Sequence, residues 1–324
     1  MYNFAFMLKT YREDFLYTKR LVETFVKYNV DNIHLFIVIE EQSINQLETT
    51  IPIIKDKNIT IIRENNFSEF LCTEPIENMS VGYINQEIIK LSFHTLGLCE
   101  NYMTLDSDAF FIRDFGYKDF MYNRSEPYSV LYEDAELVCD PAYYRNFSLR
   151  KKEWIKRICD VLDFHESKIM GCHGFQIISS KVMREFVCSV MMAKNMTYVD
   201  LMKIAPVEFS WYCIFLQKSL AIAIHPCGEI FKTIHTSYDH AISLIKNMTL
   251  EDYARGYVGI IINSNISKKS VCKYNNIGNY FFRLNIVRLF ECILISVRST
   301  VYLSLCFIKN RIKTFLSNQN LKKE

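Results

Sequence analysis

The sequence lacks most of the markers that place a chain in a special class. None of its 11 cysteines forms a C-x-x-C pair, which argues against a zinc site or a disulfide framework. Cys188, Cys213, Cys292 and Cys306 instead lie inside apolar stretches, as small buried hydrophobes do in a reducing compartment. The start, Met1-Tyr2-Asn3-Phe4, has no basic segment leading into an apolar one, so no secretory signal is expected. Triplets such as Asn195-Met196-Thr197 then read as chance matches to a glycosylation site. There is no internal repeat and no low-complexity segment. A membrane span wants about 20 residues with few charges, and the apolar stretch Ile286–Ile308 is broken by Arg288, Glu291 and Arg298.

What is present is a large apolar fraction. Of 324 residues, 50% are hydrophobic and 14% aromatic. That supports a sizeable core, as one large domain or two small ones, and argues against disorder. The net charge is only +2, but it is unevenly spread. From Ser267 to the end there are 11 Lys/Arg and 2 Asp/Glu, whereas the preceding 266 residues carry 27 Lys/Arg and 34 Asp/Glu. A mildly acidic body is joined to a basic tail suited to an anionic surface.

Phe4–Leu8, His34–Ile39 and Ile59–Ile62 are apolar runs of strand length. Between them, Asp14–Tyr28 carries Leu21, Val22, Phe25 and Val26 at helical spacing, and Ile44 to about Ile54 forms a short helix. Strand, helix, strand, helix, strand predicts an α/β domain with a parallel sheet, and ligands of such sheets bind outside the carboxyl ends of the strands. Lys9–Arg12 is a turn at such an end. Further helices are expected over Tyr83–Leu98, with Ile84, Ile88 and Leu91 on one face and Gln86 and Lys90 on the other, and over Lys151–Leu162, Val182–Ala193 and Val207–Leu216. Val130–Tyr132, Phe175–Ile178 and Ala221–Ile224 read as strands. The tail reads as an amphipathic helix lying on a membrane or on a partner, its Lys309, Arg311 and Lys313 suited to anionic headgroups, with a helical hairpin packed on the domain as the alternative.

The feature most charged with chemistry is Asp106-Ser107-Asp108, between the apolar runs Tyr102–Leu105 and Ala109–Ile112. Alternate residues of an extended chain project to one side. Two like charges there would repel and be costly to desolvate, so a cation is expected between them, most economically a divalent ion with oxygen ligands. Three chemistries use such a triplet. A haloacid-type phosphatase carries it near the N-terminus, with Thr or Val where this chain has Phe110. A nuclease of the primase/topoisomerase type wants a basic surface, and this body is acidic. A nucleotide-sugar glycosyltransferase places it near residue 100, after a nucleotide-binding α/β half, as here.

Leu105–Arg113 resembles the metal-binding segment of GT-A-fold bacterial glycosyltransferases. Gly82–Leu91 resembles the Gln/Lys helix of one group of glycosyltransferase-like proteins from surface-polysaccharide clusters, and His173-Gly174-Phe175 and Glu208–Tyr212 resemble later landmarks of that group. The resemblance covers about residues 1–240. It implies a GT-A, Rossmann-like fold with a mixed, mostly parallel sheet flanked by helices. The catalytic domain would span 1–265, with a nucleotide-binding half (1–100) and a metal and acceptor half (101–265), followed by a basic helical region (266–324).

It also implies site residues. Asp106 and Asp108, with His235 preferred over His240 as third ligand, would hold Mn²⁺ or Mg²⁺. Thr10, Tyr11, Gln86, Lys90, Asp106, Ser107 and His173 would contact the donor. Glu208 would act as catalytic base, its other reading being a first-turn Glu after Pro206 that favours the helix dipole, and Asp106, counted with it as catalytic, would reach the ribose or the metal through water. Arg113 would pair with Asp106, a phosphate or Asp114. The activity implied is sugar transfer from a nucleotide-sugar donor to a glycan or lipid-linked acceptor on the cytoplasmic face of a membrane, with no nucleic-acid partner. A metal-dependent phosphotransferase or nuclease, and a non-catalytic protein with a degenerate transferase fold, are the alternatives.

Overall fold

A computed structural model describes residues 1–133, 147–172, 174–235, 243, 246, 248–263 and 297. The first apolar run forms β1 (Tyr2–Lys9), whose residues from Phe4 onward are all buried. A side chain buried on both faces of a strand is the mark of a central parallel strand. Around it lie α1 (Phe15–Tyr28), β2 (His34–Ile39), α2 (Ile44–Thr50), β3 (Ile59–Arg63), α3 (Val81–Ser92) and β4 (Cys99–Leu105). After β5 (Ala109–Phe111) and β6 (Ser129–Val130) come α4 (Leu149–Leu162), β7 (Ile177–Ser179), α5 (Ser180–Phe186), α6 (Tyr198–Ile204) and α7 (Glu208–Ser219). The described elements end with β8 (Pro226–Cys227), β9 (Phe231–Ile234), α8 (Leu250–Ala254) and β10 (Gly259–Ile262).

The main sheet runs β3-β2-β1-β4-β7. Its first four strands are parallel, and β7 is antiparallel to β4. It is the mixed, mostly parallel sheet flanked by helices that the resemblance implies, and its parallel part is the one the strand-helix alternation predicts. A second sheet, β5-β10-β9, begins directly after the Asp106–Asp108 turn, and β6 pairs with β8. Gly259 of β10 sits where the strands close in: a Cβ there would clash with the edge of the Phe231 ring and lie 2.6 Å from the Phe110 carbonyl oxygen. An aromatic cluster of Phe4, Phe6, Phe25, Phe111, Phe115 and Phe120 seals β1 against the start of the second sheet.

Several boundaries differ from the expected ones. Ala221–Ile224 is irregular, not a strand: α7 ends at Leu220 in a left-handed turn (φ 51°), and ladder pairing resumes only at Pro226. The helix expected to reach Leu98 stops at Ser92. A 3₁₀ turn and Gly97 at φ 62° close it, a conformation glycine adopts without strain. The helix expected over Val182–Ala193 is α5 followed by a π-type turn over Val187–Met192. The tail expected from residue 266 lies outside the described residues, apart from the exposed Val297.

Candidate active site

Parallel β1 and β4 both end at one edge of the main sheet, and antiparallel β7 begins there, so Thr10, Asp106 and Gly174 all fall on that edge. The edge opens into a pocket of about 370 Å³ lined by Gln86, Glu87 and Lys90 of α3, Asp106, Glu208 of α7 and His235 after β9, among others. Each wall is anchored by ordinary packing and hydrogen bonds. Asn85 ties α3 to the loop at Cys72 through two hydrogen bonds. The Tyr102 hydroxyl donates to the Lys90 carbonyl oxygen at 2.8 Å, locking the last turn of α3 to β4. The start of α7 is held where the Trp211 indole N–H donates to the Ala205 carbonyl at 2.8 Å.

The centre of the pocket is Lys90. Its side chain is only 4% exposed, and Nζ lies 3.1 Å from both Asp106 Oδ1 and Glu208 Oε1 and 3.6 Å from Glu87 Oε2. The Phe209 ring lies 5.1 Å from the ammonium. Gln86 Nε2 donates to the same Asp106 oxygen at 3.0 Å. The cation that meets Asp106 within the protein is therefore a lysine. Burial disfavours charge on Lys90, but Asp106, Glu208 and Glu87 outweigh it and hold its pKa well above the ordinary lysine value. Burial likewise pushes Glu208 up, but the Lys90 charge and hydrogen bonds from Glu87 and Lys90 reverse this and hold it below the usual carboxylate value. Glu87 goes the other way: burial first, and then the Glu208 charge, raise it well above that value.

The structure thus brings together Gln86, Lys90, Asp106, Glu208 and His235, which lie 149 residues apart at the extremes. Other expected site residues point elsewhere. The Thr10 hydroxyl is buried against that of Thr18 at 2.6 Å. Tyr11 lies beside the pocket, its hydroxyl donating to the Gly82 carbonyl at 2.6 Å and its ring capped by Lys9. Ser107 donates to Asp14 Oδ2 at 3.3 Å. The Asp108 carbonyl oxygen accepts from Arg20 Nη2 at 3.1 Å. Arg113 pairs with Asp119 at 2.9 Å and donates to the carbonyl oxygens of Asp114 and Tyr257, so it braces a loop and does not reach Asp106. His173 and His240 lie outside the described residues. Glu87 was not expected in the site. Its i,i+3 spacing to Lys90 was the available signal, but only the approach of α7 shows that this face of α3 looks into a pocket.

Among the described residues no three His, Cys, Asp or Glu side chains form a metal-ligand set. The strand pairing carries Asp108, Ile262 and Ile234 across neighbouring strands, which places His235 near the aspartate turn. Of the three expected ligands, Asp106 and His235 line the pocket. Among the described residues no helix is long and apolar enough to cross a membrane.

The molecule is thus an α/β protein with a charged pocket at the carboxyl edge of a mostly parallel sheet. The model of DUF6492, a family of unknown function, matches residues 5–252, and the chain belongs to that family. No curated protein matches it in sequence. Solved structures similar in fold include mouse xyloside xylosyltransferase 1 in its apo form, at 8% identity and a TM-score of 0.48, covering 81% of this chain and 98% of that one. The galactosyltransferase LgtC in complex with donor and acceptor sugar analogues is similar at 10% identity and a TM-score of 0.42, covering 87% of this chain and 97% of that one. The bifunctional glycosyltransferase WbbM in its apo form is similar at 10% identity and a TM-score of 0.43, covering 79% of this chain and 45% of that one.

Proposed function

We propose that the protein is a glycosyltransferase that moves a sugar from a nucleotide-sugar donor to a glycan or lipid-linked acceptor in cell-surface polysaccharide synthesis. The observation that carries this reading is the buried ammonium of Lys90, bracketed by Asp106 and Glu208 in an open pocket. The pocket lies outside the carboxyl ends of parallel strands, where α/β sheets receive phosphorylated ligands. A leaving diphosphate needs a fixed positive charge, and Lys90 supplies one that costs no reorganisation. Gln86 and Asp106 present a donor and an acceptor to sugar or ribose hydroxyls.

Glu208, held ionised, takes the proton of the acceptor hydroxyl. As that oxygen bonds to the anomeric carbon, the bond from that carbon to the diphosphate oxygen breaks, and its electron pair leaves with the nucleoside diphosphate. General-base assistance of this kind contributes on the order of 10²–10⁴-fold. Mn²⁺ or Mg²⁺ enters the proposal only as an ion arriving with the nucleotide, since such ions are commonly held by one or two carboxylates plus substrate phosphates. The basic segment 266–324 holds the enzyme on the anionic cytoplasmic face of a membrane.

The test is a thermal-shift screen of nucleotide sugars with and without Mn²⁺. A ligand at 100 times its Kd adds about 2.7 kcal/mol to the native state. The expected result is stabilisation by at least one nucleotide sugar that Lys90→Met abolishes. No stabilisation of the wild type, or an equal response from Lys90→Met, overturns the reading.

A further inference from the structure

Three carboxyl groups surround one ammonium in this pocket. Lys90 Nζ stands 3.1 Å from Asp106 and from Glu208, but 3.6 Å from Glu87. The Glu87 side chain is 4% exposed, and its Oε2 is buried and accepts no hydrogen bond. An ionised carboxylate is an obligate acceptor, and burying one without a donor is among the costlier things a fold can do. A protonated carboxyl instead brings one O–H donor, and Glu208 is the carboxylate next to it.

The other groups facing Glu87 do not remove the difficulty. Tyr83 and Lys90 come from α3, Tyr11 from the turn after β1, Asp106 from the end of β4 and Glu208 from α7. Lys151, Cys172 and His235 lie further round the pocket. Lys90 is the one cation among them that contacts the carboxyls, and it already serves two closer partners.

We propose that Glu87 is a positioning residue: a neutral carboxylic acid that donates a hydrogen bond to Glu208 and fixes that carboxylate beside Lys90. The burial that raises the Glu87 pKa agrees with this state. The inference rests on Glu208 as the group that receives the acceptor's proton. Glu87 touches no reacting atom. It orients Glu208 and keeps a third negative charge out of the pocket.

Two variants separate this role from a structural one. Glu87→Gln keeps a donor of nearly the same shape, and Glu87→Ala removes it. The wild type at neutral pH, without ligand, should show an infrared C=O stretch of a protonated carboxyl that Glu87→Gln abolishes. Glu87→Gln should keep the wild-type urea midpoint, whereas Glu87→Ala loses part of it. Glu87→Ala should lower kcat roughly tenfold or more, within the range of the base it positions, and leave the donor KM unchanged. The alkaline fall in kcat that comes from ionising Glu87 should be absent in Glu87→Gln. Absence of the band in the wild type, its persistence in Glu87→Gln, or a Glu87→Gln variant as unstable as Glu87→Ala overturns the proposal. The infrared and stability readings use no sugar donor, so they stand or fall separately from the nucleotide-sugar assay.

Discussion

Removing the Lys90 ammonium is the perturbation on which the reading of the pocket depends most. Lys90→Met keeps the length and apolar stem of the side chain and deletes the charge. Asp106, Glu208 and Glu87 are then left together with no cation within contact distance among the described residues. One such contact at 3.1 Å corresponds to about 5 kcal/mol of attraction at an effective dielectric constant near 20. Asp106, at 31% exposure, contributes less because water screens it. Much of the attraction offsets the desolvation of the charges, so the expected loss is about 3–5 kcal/mol, that of a buried pair deprived of one partner.

The sign is tested by adding Glu208→Gln. That change relieves the stranded charge, so the double variant should be more stable than the sum of the single losses, with a coupling of about 1–3 kcal/mol. The pH dependence follows from the same charges. In the wild type, Glu208 lies below its ordinary pKa, so its stabilisation is present at neutral pH and lost in acid as pH falls through that depressed value. Lys90 is raised, so its contribution is present below the unfolded lysine value and lost only in strong alkali. In Lys90→Met the carboxyls gain protons more readily, so the deficit should shrink between about pH 8 and pH 5. Urea denaturation at several pH values measures all of this. Strictly additive losses, or a deficit that does not change with pH, refute the reasoning.

Two further outcomes are expected. Burial, helped by the charge of Arg184, pulls His94 down to about 4. As pH falls from the unfolded value near 6.5 to 4, the unfolded chain binds that proton first, and stability drops by up to about 3 kcal/mol. His94→Gln should remove this acid slope from the urea midpoint, and an unchanged slope contradicts the assignment. Removal of residues 274–324 should abolish co-sedimentation with anionic vesicles, and retained binding would sink the proposed membrane role of the tail.

Much of the first half of the fold could be read from the chain. Buried parallel strands leave continuous apolar runs, so β1, β2 and β3 fall within a residue or two of their expected positions. Helix α1, with one apolar stripe, does the same. Short elements were less readable. The apolar stretch Ala221–Ile224 resembles a strand, but no neighbour among the described residues offers it a ladder, and strand pairing is a property of two segments. The polar face of α3 shows the limit most clearly. Gln86 and Lys90 have the spacing of an ordinary solvated face, and nothing local distinguishes water from α7 as their surroundings. Arg113 follows the same rule: three acidic or phosphate partners were conceivable, and loop geometry selected Asp119.

By itself the sequence determined the α/β class, the order of strands and helices through β4, and the arrival of an acidic turn at the carboxyl edge of the sheet. Those features rest on periodicity and on local sterics, which are written in neighbouring residues. Only the tertiary structure decided which charges meet. Glu208 is 118 residues from Lys90, and its approach brings a second carboxylate to Lys90 beside Asp106 and sets it next to the buried Glu87. The strength of a charge interaction depends on distance and on the loss of water between the partners, and neither quantity exists until the chain has folded.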